Sequence, residues 1–173
     1  MPEKIITQLP LIRRYAHHNE AQDQRFRIFL KTTNISNVAL DTLVQETTET
    51  VWQQIDCLKC ANCCKTLEVV VDSNDIKRLS RRLRISQLVF QQKYIGLIEN
   101  GVKYLKSQPC VFLGLDNRCS VYEDRPKACK DFPYLLNKGF RSRSLTMLAK
   151  LEVCPIVFNV WQQLKNKLWV TKA

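Results

Sequence analysis

Four cysteines fall within the eight residues from Cys57 to Cys64, in the stretch CLKCANCCK, and the last two are adjacent. Cys57, Cys60 and Cys63 are spaced as in the opening of a ferredoxin-type run, where a tight loop directs successive sulfurs at one cluster. Cys57-x-x-Cys60 is equally half of a Cys₄ zinc site, which needs another pair from elsewhere. The close fourth Cys-Pro of a ferredoxin run is absent, but Cys154-Pro155 supplies one far along the chain. Neighbouring side chains diverge on a strand and point about 100° apart on a helix, so Cys63 and Cys64 are expected to serve different metals, unless one is a spare.

The chain has eight cysteines in all, two sets of four. Cys110, Cys119, Cys129 and Cys154 have the long spacings of ligands brought together by folding. The expected division places Cys57, Cys60 and Cys63 around one centre and sends Cys64 to the distal group. For Cys110 in PCVFL and Cys154 in LEVCPIVF the apolar flanks also admit a plain buried thiol. The first twenty residues lack the apolar run of an export signal, which leads to a cytoplasmic expectation, and cytosolic cysteine clusters serve metal or redox chemistry more often than disulfides. No segment has the apolar length of a membrane span.

The net charge of +11 raises nucleic acid as a partner. Metal alters that balance: eight thiolates remove eight positive units and two dications return four, leaving about +7. The basic clusters KRLSRRLR and KGFRSRS have little aromatic interleaving and read as solvated faces, so nucleic-acid binding is not favoured. Arg125, Lys127 and Lys130 surround Cys129 and read as charge compensation for a thiolate centre. His17 and His18 are remote in sequence, and the sulfurs suffice without them. No Walker loop, GxGxxG, Ser-His-Asp order or HExxH is present, which removes support for hydrolase and nucleotide-binding classes.

Helical periodicity covers Leu11 to Leu30, and more regularly Ile35 to Leu58, a helix expected to deliver the chain to Cys57. LEVVVD reads as a strand. DSNDIKRLSRRL follows as a helix capped by Asp72 or Ser73, then a short helix from Ser86 to Tyr94. PCVFLGLDNRCSVYEDRP reads as a β-hairpin with Cys110 and Cys119 on its arms and a turn at Leu115 to Asn117. PIVFNVWQQLKNKLWV closes the chain as a helix with Pro155 in its first turn. At 173 residues this predicts one α+β domain, mostly helical with a small hairpin, organised around a cysteine-rich metal centre. Residues 1–50 read as an N-terminal helical extension and 51–173 as the metal-binding part.

CLKCANCCK, PCVFLGLDNRCSVYEDRPKACKDFP and the later CP together resemble the YkgJ-like CxxCxxCC cysteine-cluster proteins, described as chelating zinc or iron. The resemblance runs from Cys57 to Pro155. It implies zinc or iron-sulfur binding through Cys57, Cys60, Cys63, Cys64, Cys110, Cys119, Cys129 and Cys154. With an iron-sulfur centre the function is a redox, assembly or enzyme-accessory role; with structural zinc it is a binding module for a protein or nucleic-acid partner. A related branch, the flagellin lysine N-methylases, is similar in cysteine pattern, but this chain has no separate methyl-donor domain. Whether the protein is an enzyme is left open by these residues, and so is its partner.

Overall fold

The computed structural model describes residues 4–169. The chain opens with α1 (Leu9–His18), α2 (Glu20–Thr32) and α3 (Asn37–Trp52). The one-turn helices α4 (Cys57–Cys60) and α5 (Asn62–Thr66) precede the short strand β1 (Val70–Val71), α6 (Ser73–Leu83) and α7 (Gln87–Tyr94). Strands β2 (Ile95–Glu99) and β3 (Val102–Leu105) follow, then α8 (Lys127–Asp131), α9 (Phe140–Leu148) and α10 (Pro155–Leu168). The fold is α+β and mostly helical. No described helix is long and apolar enough to cross a membrane.

The chain forms two compact units, one from residues 1–56 and 133–173, the other from Cys57–Phe132. The N-terminal segment to residue 56 thus supplies α1 to α3 of the first unit, and the C-terminal segment supplies α9 and α10. Its core gathers around Trp161, which meets Phe26 edge-on at 5.1 Å between ring centroids. Trp161 also donates its indole N–H to Asp23 Oδ1 at 3.0 Å, and the same oxygen accepts from Lys165 Nζ at 2.7 Å. Asn159 clamps the backbone of Ile6 through both its amide and its carbonyl, at 2.9 and 2.7 Å. Asp41 of α3 caps α9 by accepting from the N–H groups of Gly139 and Phe140 at 2.8 and 2.9 Å, which satisfies two donors of that helix's open first turn.

KGFRSRS, read as a solvated face, is instead put to structural use. Arg141 donates to the carbonyls of Thr33 and Ile35, and Arg143 to those of Tyr134 and Asn137. The planar guanidinium fork suits such paired acceptors.

The segment Leu11 to Leu30 breaks at Asn19, whose side chain donates to Tyr15 O at 2.9 Å and competes with the helical ladder. The long helix expected to reach Cys57 ends at Trp52. Gln54 N and Ile55 N bond to Val51 O and Trp52 O, tightening the end into i→i+3 turns. Cys57 therefore starts a new helix.

In the second unit, β1, β3 and β2 form an antiparallel sheet in that order. The hairpin of the fold is β2–β3, not Cys110 to Tyr122. Asn100 and Gly101 turn it with φ of 49° and 81°, the two left-handed residues that a two-residue hairpin loop requires. Gly96 sits at the register shift in β2, where a Cβ would lie 2.9 Å from Lys106 Cγ. The expected hairpin contracts to one bridge between Leu113 and Cys119. Its arms turn back on themselves, with Leu113 N bonded to Cys110 O and Tyr122 N to Cys119 O, so no cross-strand ladder extends.

Candidate metal centre

The CLKCANCCK stretch is two helical turns divided at Ala61, which sits in the left-handed region at φ 47° and ψ 16°. An alanine there costs about 1 kcal/mol. The kink puts Cys57 and Cys60 on α4 and Cys63 and Cys64 on α5, joined by Ala61 N to Cys57 O at 2.9 Å and Leu67 N to Cys63 O at 2.9 Å. Adjacent side chains do not diverge here as the sequence reading expected. The sulfurs of Cys63 and Cys64 approach to 4.0 Å, close to the roughly 3.8 Å between two sulfurs of a tetrahedral zinc site with bonds of about 2.3 Å.

Cys110 is tied to this turn by the backbone, its N–H donating to Cys64 O at 2.8 Å. Cys119 follows on the far side of the loop that Gly114 N closes on Arg118 O at 2.8 Å. Cys129 lies on α8. Cys110, Cys119 and Cys129 pack partly buried against one apolar floor of Val69, Val71, Ile76, Leu79, Phe90, Leu105, Phe112 and Val121. Phe112 stacks on Tyr94 and Phe90 at 5.2 and 6.5 Å, so the loop that carries Cys110 has a firm base.

These thiols act on one another. Burial pushes Cys129 up to about 12, helped by Cys110, Cys64 and Cys119 and opposed by Arg125. Cys110 is raised by burial, then by Cys64 and Cys119. Burial also raises Cys119, with Cys64 adding to it and Arg125 opposing. For Cys64 the largest upward cause is its hydrogen bond with Cys63, followed by burial and the charge of Cys63. The charge of Cys64 thus bears on Cys110, Cys119 and Cys129, and Cys64 is also the contact to Cys63.

The remaining candidates are placed as follows. Cys57 is exposed and Cys60 half-buried, three residues apart on one helical turn. Cys154 is buried in the first unit, as the residue preceding α10. Of the three bases around Cys129, Arg125 faces the thiols, and it stacks on Tyr122 with its guanidinium 4.0 Å from the ring centre. Lys127 pairs with Asp131, and Lys130 is exposed. His17 lies in the first unit, on a cavity of about 390 Å³ with Glu20 and Glu152.

The sequence model of the CxxCxxCC family, whose description reads "Putative zinc- or iron-chelating domain", matches residues 56–155, more than half of the chain. The chain belongs to the CxxCxxCC family. The match takes in all eight cysteines and bears out the resemblance read from the three quoted stretches. No solved structure matches the chain. The residues present fit the metals that the family description names. The coupled group is all thiol, Cys60, Cys63, Cys64, Cys110, Cys119 and Cys129 carry free sulfurs, and thiolate is the ligand that zinc and iron-sulfur clusters share.

Proposed function

We propose that this CxxCxxCC protein holds zinc or an iron-sulfur cluster through Cys64, Cys110, Cys119 and Cys129, with Cys57, Cys60 and Cys63 as a second, outer set of ligands. The observation that carries this reading is the placement of three partly buried thiols, Cys110, Cys119 and Cys129, against one apolar floor, with Cys110 N–H bonded to Cys64 O at 2.8 Å. The charge of Cys64 raises the cost of ionising these three, and a bound cation reverses that cost because a coordinating thiol gives up its proton. Among the described residues no group of three or more Cys, His, Asp or Glu is already arranged to hold an ion, so uptake requires the thiols to draw together. For Cys154 the support is the sequence pattern and the family match.

With iron, the centre serves a redox, assembly or enzyme-accessory role in the cytoplasm. The structural-zinc reading has its own support: Cys110, Cys119 and Cys129 adjoin the core, and structural zinc sites are closed by four protein ligands. Weak nucleic-acid binding is supported by the use of Arg78, Arg141, Arg143 and Lys165 within the fold, on carbonyls and carboxylates. Elemental analysis of protein purified without oxygen, read with visible absorbance, tests the proposal. Stoichiometric zinc, or iron with thiolate-to-iron bands, is expected; stoichiometric absence of both would sink it.

A further inference from the structure

Cys129 stands on a helix of one turn. Pro126 precedes α8 and has no side chain with which to cap it. The cap comes from α6, 52 residues earlier in the sequence, where Asp75 Oδ1 accepts from Lys127 N at 3.0 Å. The same oxygen accepts from Arg78 Nη2 at 2.6 Å. Arg78 in turn reaches the strap that leads into α8, donating from Nε to Asp124 O at 3.2 Å and from Nη2 to Arg125 O at 2.9 Å. Three consecutive donors or acceptors of the 124–127 backbone other than Pro126 are therefore held by two side chains one helical turn apart.

The base of this clamp is rigid. Ile76 and Leu79, on either side of Arg78 in sequence, are 2% and 0% exposed in the core, and the Asp75 side chain is 3% exposed. Asp75 also caps its own helix, its Oδ2 accepting from Asp72 N at 3.2 Å while Asp72 Oδ1 accepts from Asp75 N at 2.7 Å. Asp72 takes part only in that local box, which secures α6 without reaching the strap. A buried carboxylate stays buried at such a position only when its lone pairs are satisfied, and the strap's N–H and the guanidinium do so here.

We infer that Asp75 and Arg78 are positioning residues for Cys129: they set the start of α8 and thereby aim its thiol at Cys64, Cys110 and Cys119. The inference rests on the reading of those four as one metal centre, in which partners behind the ligands fix their orientation and typically govern affinity by 10- to 100-fold. Arg125 benefits as well, since its backbone carbonyl is one of the clamped groups and its guanidinium is the cation that faces Cys119 and Cys129.

Cobalt(II) is the probe, because its thiolate charge-transfer and ligand-field bands report the number and symmetry of sulfur ligands. Affinity is read by chelator competition on the full chain, and folding stability of each metal-free variant is read separately by denaturant. Asp75→Ala and Arg78→Ala are expected to bind cobalt at least about tenfold more weakly, with weakened thiolate bands. Asp75→Asn keeps one side-chain oxygen for Lys127 N and Arg78 but not a second for Asp72 N, so it is expected to lower stability through the α6 cap while staying near the wild-type cobalt affinity and spectrum. Asp72→Ala removes the cap of α6 alone and is expected to lower stability while leaving the cobalt spectrum unchanged. Wild-type affinity and spectrum in both Asp75→Ala and Arg78→Ala would overturn the positioning role and leave the four-thiol centre standing. Equal losses in Asp72→Ala and Asp75→Ala would also overturn it, because general loosening of α6 would then suffice. A wild-type chain without cobalt-thiolate bands would overturn the four-thiol reading itself, and this inference with it.

Discussion

In the helical unit Trp161 is 1% exposed, meets Phe26 and is hydrogen-bonded to Asp23, whereas in the cysteine unit Phe90 and Phe112 lie on an apolar floor edged by thiols. The first unit fills its interior with aromatic and aliphatic side chains from five helices, and there Asp23 Oδ1 pairs with Lys165 Nζ at 2.7 Å while Asp23 Oδ2 has no hydrogen-bond partner among the described residues. The second has short elements, a strand of two residues and helices of four and five, and fixes them with side-chain clamps. Small cores of this kind lean on metals or cross-links to reach ordinary stability. Hydrophobic packing dominates the first unit, whereas the second edges its apolar floor with the thiols that the proposed metal would draw together.

Three substitutions and two changes of condition sharpen that contrast. Trp161→Ala removes the largest buried side chain of the helical unit and is expected to cost about 3–5 kcal/mol, read by denaturant unfolding. A loss below about 1 kcal/mol would show that this core is less decisive than its burial implies. Metal loading comes next. At a free concentration about 100 times its dissociation constant, zinc or iron should add about 2.7 kcal/mol, and hydrogen exchange should slow across residues 57–132. Unchanged exchange there would contradict a stabilising centre. Gly96→Ala places a methyl 2.9 Å from Lys106 Cγ and 3.0 Å from Lys106 Cα at the β2 irregularity, and because the backbone atom cannot rotate aside it should cost about 1–3 kcal/mol.

The second change of condition is pH, applied to the metal-free chain. The Cys129 thiol ionises near 9.0 when unperturbed and is held up to about 12 in the fold by burial and by Cys110, Cys64 and Cys119, with Arg125 opposing. Between those values the folded state keeps a proton that the unfolded state has released, so stability is full below about pH 9 and falls as pH rises toward 12. The denaturation midpoint should decline over that window in the wild type and decline less in Cys129→Ser. Identical profiles for the two would remove Cys129 as the source.

Much of the helical framework was legible because its signals are local. Asp72 and Ser86 announce α6 and α7 as caps, and Pro155 opens α10 at the position where a missing N–H costs nothing. The hairpin was misplaced for a comparable reason: Cys110 to Tyr122 has apolar arms and a turn, but the Cys110 and Cys119 carbonyls are taken by Leu113 and Tyr122, three residues on, and the pairing contracts to one bridge. Asn100-Gly101, the stronger turn signal, lay in a stretch to which the sequence reading assigned no strand. Arg141 and Arg143 looked like surface charge because their acceptors are backbone carbonyls, which no sequence pattern displays. The cysteines themselves were legible from spacing. The approach of Cys63 to Cys64 was not, since it depends on how the two side chains turn on α5, and neither was the left-handed turn at Ala61, a residue that gives no sign of one. Asp75 was readable as an acidic first-turn residue, but not as the cap of a helix 52 residues on.

X-ray absorption at the metal edge, on the chain as purified, tests the central claim most directly, because it counts the atoms bound to the ion. A sulfur shell of about four per metal, near 2.3 Å for zinc, is the predicted result, with Cys64→Ser lowering the metal bound per chain. A first shell dominated by oxygen or nitrogen, or an unchanged metal content in Cys64→Ser, would contradict the tetrathiolate centre.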